Sequence, residues 1–362
     1  MQKKIIALAI AAAFAAPVTA MADAALYGTF DAGYRFKHAQ GANGTSGTNT
    51  NGMDMRGLYA SNAWGFKGSE DLGDGMKALV QFEADFIPGT ATGNGQTATY
   101  QGQLFDRQLT AGLSGSFGTA QVGYDYTAAF KINRKFDPMN YNFVTSLYSS
   151  TSGVIASRNY LVDYTNKFGD ISVDAQYVMD NADTASNTVA SVGQGRALAV
   201  DYAAGPISVG VSYSSQDSSV QTGTNLENPV TLVTAGAGFN YGDGIAKIGY
   251  AKKTTKAGTV ATGAYEATDT SMWLGANYNV SSKIGATLAY YKNTTNAGSA
   301  GAVDVNKAKL IGMVTYAMSK NTTAYVGAER ESAETLATGS TTALSADSTV
   351  TNSTSVGLAI KF

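Results

Sequence analysis

Apolar and polar residues alternate with a period of two through one short segment after another along this chain. In the first, Leu26, Gly28, Phe30, Ala32, Tyr34 and Phe36 share one face of an extended strand, and Tyr27, Thr29, Asp31, Gly33, Arg35 and Lys37 share the other. Ile171, Val173, Ala175, Tyr177 and Met179 repeat the pattern against Ser172, Asp174, Gln176 and Asp180. So do Ile207 to Tyr213, and Ile284 to Tyr290. The pattern predicts strands at 24–37, 58–68, 76–88, 104–116, 119–127, 158–168, 170–180 and 194–204. Eight more follow at 206–216, 231–242, 244–253, 268–280, 283–293, 305–317, 320–331 and 351–362.

The connectors between these segments alternate in length. Ser116-Phe-Gly118, Gly205-Pro206 and Gly242-Asp-Gly244 are short turns. The stretches 38–57, 89–103, 128–157, 181–193, 217–230, 254–267, 294–304 and 332–350 are long and rich in Gly, Thr, Asn and Ser. Short turns at one end and long loops at the other are what a transmembrane β-barrel requires. In hydrocarbon every backbone polar group must be paired, so a spanning sheet has to close on itself. About ten tilted residues cross the apolar slab, which matches the segments. A soluble sandwich also alternates, but it does not sort its connectors this way. The expected fold is all-β: a transmembrane 16-stranded antiparallel barrel with its third long loop folded inward.

Composition sharpens the picture. Lys3 and Lys4, the apolar run Ile5–Ala16, Pro17 and the Ala20-Met21-Ala22 stretch form a secretory signal peptide, too short to span a bilayer as a helix. Residues 1–22 are expected to be removed, leaving 23–362 as a single barrel domain with 23 basic against 27 acidic residues. That balance excludes nucleic acid as a partner by bulk charge. An exported chain without cysteine lacks the usual disulfide scaffold. Its 41 glycines and 21 tyrosines suit strands and interfacial girdles instead.

Catalysis finds little support. His38 is the only histidine, and hydrolases on a barrel need one as a base beside a nucleophile. With no cysteine and scattered carboxylates, no metal or other cofactor is expected. "GSEDLGDG" (68–75) resembles a calcium loop only loosely and reads as turn chemistry. The chain is therefore not expected to be an enzyme. A surface adhesin on a closed barrel is the alternative of a different class.

Four stretches resemble the general porins of Gram-negative outer membranes. "ALYGTFDAGY" (25–34) is similar to their opening strand and "WGFKGSEDLGDGMKALVQFE" (64–83) to their second hairpin. "FDRQLTAGLSGSFGTAQVGY" (105–124) matches the next hairpin, and "AMSKNTTAYVGAE" (317–329) one near the end. Terminal Phe362 matches the C-terminal aromatic that the outer-membrane assembly machinery reads in these proteins. The resemblance implies a homotrimer in outer-membrane lipid, passing small hydrophilic solutes and ions by passive diffusion. It also implies a constriction by the third loop, and 128–157 is the longest loop here, at 30 residues.

The resemblance further implies basic wall residues facing an acidic loop. Arg107 and Arg158 stand at two such places, while Ala63 and Thr29 replace two others. Arg35, Lys67, Glu83 and Asp85 fall on polar faces and are further candidates for the wall. Strict alternation puts Arg107 on the face of Leu109 and Ala111. Either a bulge intervenes or Arg107 lies above the membrane, and the roughly 2–4 kcal/mol of an Arg at the lipid midplane favours the bulge. The family's Pro-Glu-Phe-Gly-Gly stretch is absent. The loop instead carries Lys131, Arg134 and Lys135 with Asp137, a net of two positive charges pointing toward anions. Glu83, Asp85, Asp174 and Asp201 oppose that sign if they line the same ring. Tyr124, Tyr126, Tyr141 and Tyr148 suggest the other alternative, a channel specific for a sugar or oligoanion.

Overall fold

A computed structural model describes residues 23–40, 47–54, 57–85, 105–141, 158–179, 192–218, 229–259, 263–298, 303–337 and 347–362. The signal-peptide reading falls on residues 1–22, outside the described residues. The first eight strands are β1 (Asp23–Ala39), β2 (Thr48–Asp54), β3 (Ala63–Gly73), β4 (Met76–Asp85), β5 (Gln108–Gly115), β6 (Gly118–Tyr126), β7 (Arg158–Phe168) and β8 (Ile171–Val178). A helix, α1 (Ala128–Phe136), lies between β6 and β7. After β8 come β9 (Val192–Ala204), β10 (Ile207–Ser218), β11 (Val230–Tyr241), β12 (Gly244–Thr259) and β13 (Gly263–Asn279). The last four are β14 (Ile284–Asn296), β15 (Val303–Ala317), β16 (Thr322–Ala337) and β17 (Asp347–Lys361).

From β3 to β17 each strand pairs antiparallel with the next. β17 then pairs with β1, from Thr29↔Lys361 to Ala39↔Thr351, and closes the sheet. β1's other edge is shared. β2 covers Gly33–Ala39 and β3 covers Asp23–Thr29, so seventeen strands fill sixteen positions of a closed antiparallel barrel. Closure leaves no free edge, which is what a sheet in hydrocarbon needs. Among the described residues no helix is long and apolar enough to cross a membrane, so the crossing falls to the strands.

The predicted alternation survives intact. Leu109, Val122, Leu198, Leu274 and Val326 project exposed from the outer face, while Thr110, Gln176, Ser271 and Asn293 are buried on the other. Two expectations change. The second strand, read at 58–68, instead runs as β3 from Ala63 to Gly73, and β2 occupies part of the presumed loop 38–57. Leu58 and Tyr59, at the expected start of that strand, instead serve an inner contact described below. Several strands also outrun their predicted ends: β12 reaches Thr259 and β13 begins at Gly263. Those extensions are rich in Thr, Gly and Ala on both faces, so they carry no period-two signal.

Candidate channel-lining site

The third long connector begins with α1. Thr127 caps its N-terminus, its side chain accepting a hydrogen bond from the Phe130 N–H at 3.3 Å, and Asp137-Pro138 ends it. Ala128, Ile132 and Phe136 recur at helical spacing and are buried, while Lys131, Arg134 and Lys135 form the polar remainder. The bracket of a threonine cap and an Asp-Pro stop was visible in the sequence. Its nine residues fell within a stretch read as loop.

α1 packs against β8 to β12 on the face opposite the exposed apolar one. Glycines make the close approach possible. A Cβ on Gly236 would lie 2.4 Å from the Phe136 ring, and one on Gly210 would lie 2.9 Å from it. Beyond the helix the chain is clipped to the wall. The Trp273 indole N–H donates to the Phe136 carbonyl at 2.9 Å, and Asn277 donates to the Pro138 carbonyl at 2.9 Å. Lys247 donates to the Asp137 carbonyl at 3.1 Å. Asp137 is fully buried and accepts from the Tyr291 hydroxyl at 2.5 Å and the Tyr141 N–H at 2.7 Å. Its carboxylate organises this turn and is not the counter-ion of the loop's lysines.

Those lysines meet the wall. The Lys131 ammonium lies 2.7 Å from Asp163, 2.9 Å from Asp174 and 3.9 Å from Asp125, carboxylates of β7, β8 and β6. Burial alone would lower its pKa, but these three carboxylates more than reverse that and hold it above the ordinary lysine value. Lys135 pairs with Asp201 of β9. Arg134 is exposed and makes no ion pair among the described residues. A cavity of about 490 Å³ lies between α1 and β6–β9, with Lys131, Lys135, Asp174 and Asp201 on its walls.

Arg107 binds both Glu83 and Asp85, while Glu83 also accepts from the Tyr27 hydroxyl at 2.8 Å. The chain bends just before β5, and the Arg107 N–H reaches the Glu83 carbonyl at 3.0 Å although Gln108 is Glu83's ladder partner. That irregularity turns the guanidinium onto the carboxylates of the polar face, as the expected bulge would. Arg35 pairs with Glu329 and lies 3.9 Å from Asp54. Lys67 is exposed on the same face, 5.8 Å from the centre of the Tyr27 ring. Arg158 opens β7 opposite Tyr126, and its side chain lies outside the described residues. Asp125 and Asp163, both buried, were missed, since nothing in the sequence says which loop cation a wall carboxylate will meet.

The tyrosine run is dispersed. Tyr126 stacks on Phe130 at 4.6 Å and Phe130 meets Tyr141 at 4.7 Å, so these rings bury one another. Tyr124 pairs with Tyr160 on the outward face, and Tyr148 lies outside the described residues. His38 ends up on β1, its ring nitrogen 2.7 Å from the Asn49 side-chain oxygen. Among the described residues no group of three His, Asp or Glu could hold a metal.

A sequence model of the Gram-negative porins matches residues 7–336. The chain belongs to the Gram-negative porin family. It is 27% identical to an outer membrane porin protein of Bordetella pertussis over 279 residues, 71% of this chain and 70% of that one. It is also 27% identical to outer membrane porin protein 32 of Delftia acidovorans over 272 residues, again 71% and 70% of the two chains. The barrel resembles that of an anion-selective porin from Comamonas acidovorans with a TM-score of 0.70 and 22% identity, over 94% of this chain and 99% of that one. This porin therefore resides in the outer membrane, where the exposed apolar face of its barrel meets lipid.

Proposed function

We propose that this porin is a general diffusion channel for small hydrophilic solutes and ions, narrowed by residues 127–141 and modestly anion-preferring. The observation that carries the narrowing is the seating of α1 by Ile132 and Phe136 on Gly210 and Gly236, on the polar side of the closed barrel. The sign of the preference rests on which charges meet water. Asp31, Asp125, Asp137 and Asp163 are each at most 4% exposed, whereas Arg134 and Lys67 are exposed and lack carboxylate partners among the described residues. Rings of Lys and Arg favour anions, and screening over about 8 Å at physiological ionic strength keeps the bias modest. The mutual burial of Tyr126, Phe130 and Tyr141 speaks against the sugar-specific alternative.

The test is the reversal potential of single channels in a planar bilayer under a salt gradient. A weakly anion-selective parent is expected, with Arg134→Gln shifting the potential toward neutrality. Lys131→Gln should act differently, because that lysine clamps α1 to the wall, and larger or noisier steps are expected. A cation-selective parent, or an Arg134→Gln channel identical to it, would overturn the selectivity reading.

A further inference from the structure

Between β2 and β3 the chain leaves the sheet. β1 pairs with β2 down to Gly33↔Asp54 and with β3 from Thr29↔Ala63, so the second barrel strand is interrupted opposite Asp31. A gap in a ladder at membrane depth leaves backbone groups that must find partners. The Asn62 amide supplies them. Its nitrogen donates to the Asp31 carbonyl at 3.1 Å, and its oxygen accepts from the Asp31 N–H.

The Asp31 side chain, fully buried, does the rest. One carboxylate oxygen accepts from the N–H groups of Tyr59 and Ala60, both at 2.7 Å. The other accepts from the Tyr325 hydroxyl at 2.6 Å. No cation is needed, because three donors satisfy the charge. The segment folds as a tight turn on Gly57, whose φ of +91 and 1.9 Å clearance from a Cβ to the Ala60 oxygen admit only glycine. Tyr59 stacks on Tyr325 with centroids 5.6 Å apart, and Leu58 is fully buried above Gly33. Asp31, Gly33 and Tyr325 all lie on the polar face. Leu58 belongs to the same buried apolar cluster as Phe130, Met139 and Tyr141 of the α1 segment.

We propose that residues 57–62 form a second element turned into the channel, with Asp31 and Asn62 as its positioning residues. Leu58 then belongs to the same buried cluster as the α1 segment, with Tyr59 packed against it, so the bore is framed by two separate stretches of the chain. This rests on the channel reading above and adds to it a second determinant of solute size.

The chain lacks cysteine, so Leu58→Cys gives a single thiol to label with a charged, membrane-impermeant maleimide. Labelling should be slow in that background and roughly tenfold faster when Asp31→Ala is added, since local opening then limits reaction less. The Asp31→Ala channel should show a step larger by roughly half, and pass larger neutral solutes in a swelling assay, as the open cross-section widens. Far-ultraviolet circular dichroism should be unchanged. If Asp31→Ala does not fold, Tyr325→Phe and Tyr59→Ala should move both readouts the same way by less. Unmoved labelling and step size in a folded variant would overturn the proposal. A parent that does not conduct would instead overturn the channel reading, and labelling reports on the segment independently of it.

Discussion

At Gly236 a methyl group would sit 2.4 Å from one carbon of the Phe136 ring and 2.5 Å from the next. The helix therefore rests on bare backbone, and the absence of a side chain is what lets it come so close. Gly236→Leu should lift α1 from the wall, with overpacking of about 1–3 kcal/mol and a changed or unstable conductance step. Gly312→Ala is the control, because a Cβ there meets nothing within 4 Å. Equal behaviour of the two channels in single-channel recordings would show that the contact does not position the helix. Lys131 and Asp137 divide the remaining work. One ties the helix to three wall carboxylates, and the other ties the following turn to Tyr291.

Among the elements, the strands owe much of their packing to aromatic rings laid over glycines. A Cβ on Gly249 would meet the Trp273 ring at 2.1 Å, and one on Gly357 would meet Tyr325 at 2.2 Å. A ring covering a glycine across the ladder restores the contact area that the glycine lacks. The same pairing closes the barrel. The Phe362 N–H donates to the Gly28 carbonyl at 3.1 Å, the Gly28 N–H returns the bond at 3.0 Å, and the Phe362 ring covers Gly28. Phe362→Ala should lower the urea midpoint of the refolded barrel, in line with the roughly 0.2–1 kcal/mol of a good cross-strand pair. An unchanged midpoint would show that the Phe362 ring adds nothing to the stability of the closed barrel. The split second strand shows that a ladder can be broken mid-wall where one amide side chain, that of Asn62, replaces the missing peptide.

For the molecule as a whole, the barrel presents an apolar exterior that is not uniform. Trp64, Phe66, Phe82 and Phe105 form a run of half-buried rings outside β3 and β4, with Phe66 and Phe82 stacked at 6.3 Å and Phe82 5.3 Å from Phe105. Large flat aromatics packed together suit contact with another protein surface better than contact with fluid lipid. We expect this patch to lie in the interface of a homotrimer. Detergent-corrected light scattering should give three times the monomer mass, and Trp64→Lys should reduce it. A monomeric parent would end the trimer reading, and a trimeric Trp64→Lys variant would move the interface elsewhere.

The sequence alone determined that this is a closed barrel of sixteen strand positions, and nearly where each strand runs. The reason is local: lipid on one side and water on the other impose a period of two that every spanning segment must obey, as Ile171–Val178 does. The second strand does not begin at residue 58 as expected, because Leu58 and Tyr59 leave the sheet for a buried inner contact, which periodicity along the chain does not show. The penalty of an arginine in lipid argued for a bulge at Arg107, but nothing along the chain named Glu83 and Asp85 as its partners. Which charges neutralise which was not legible. Lys131 meets Asp125, Asp163 and Asp174 only because α1 folds back onto the polar face, where the β6–β7–β8 ladder sets the three carboxylates side by side. Asp31 reaches Tyr325 across 294 residues only because β17 returns to β1 and brings β16 with it. Contacts of that kind belong to the tertiary structure, since the folding back of α1 and ring closure, and no spacing along the chain, decide who stands opposite whom.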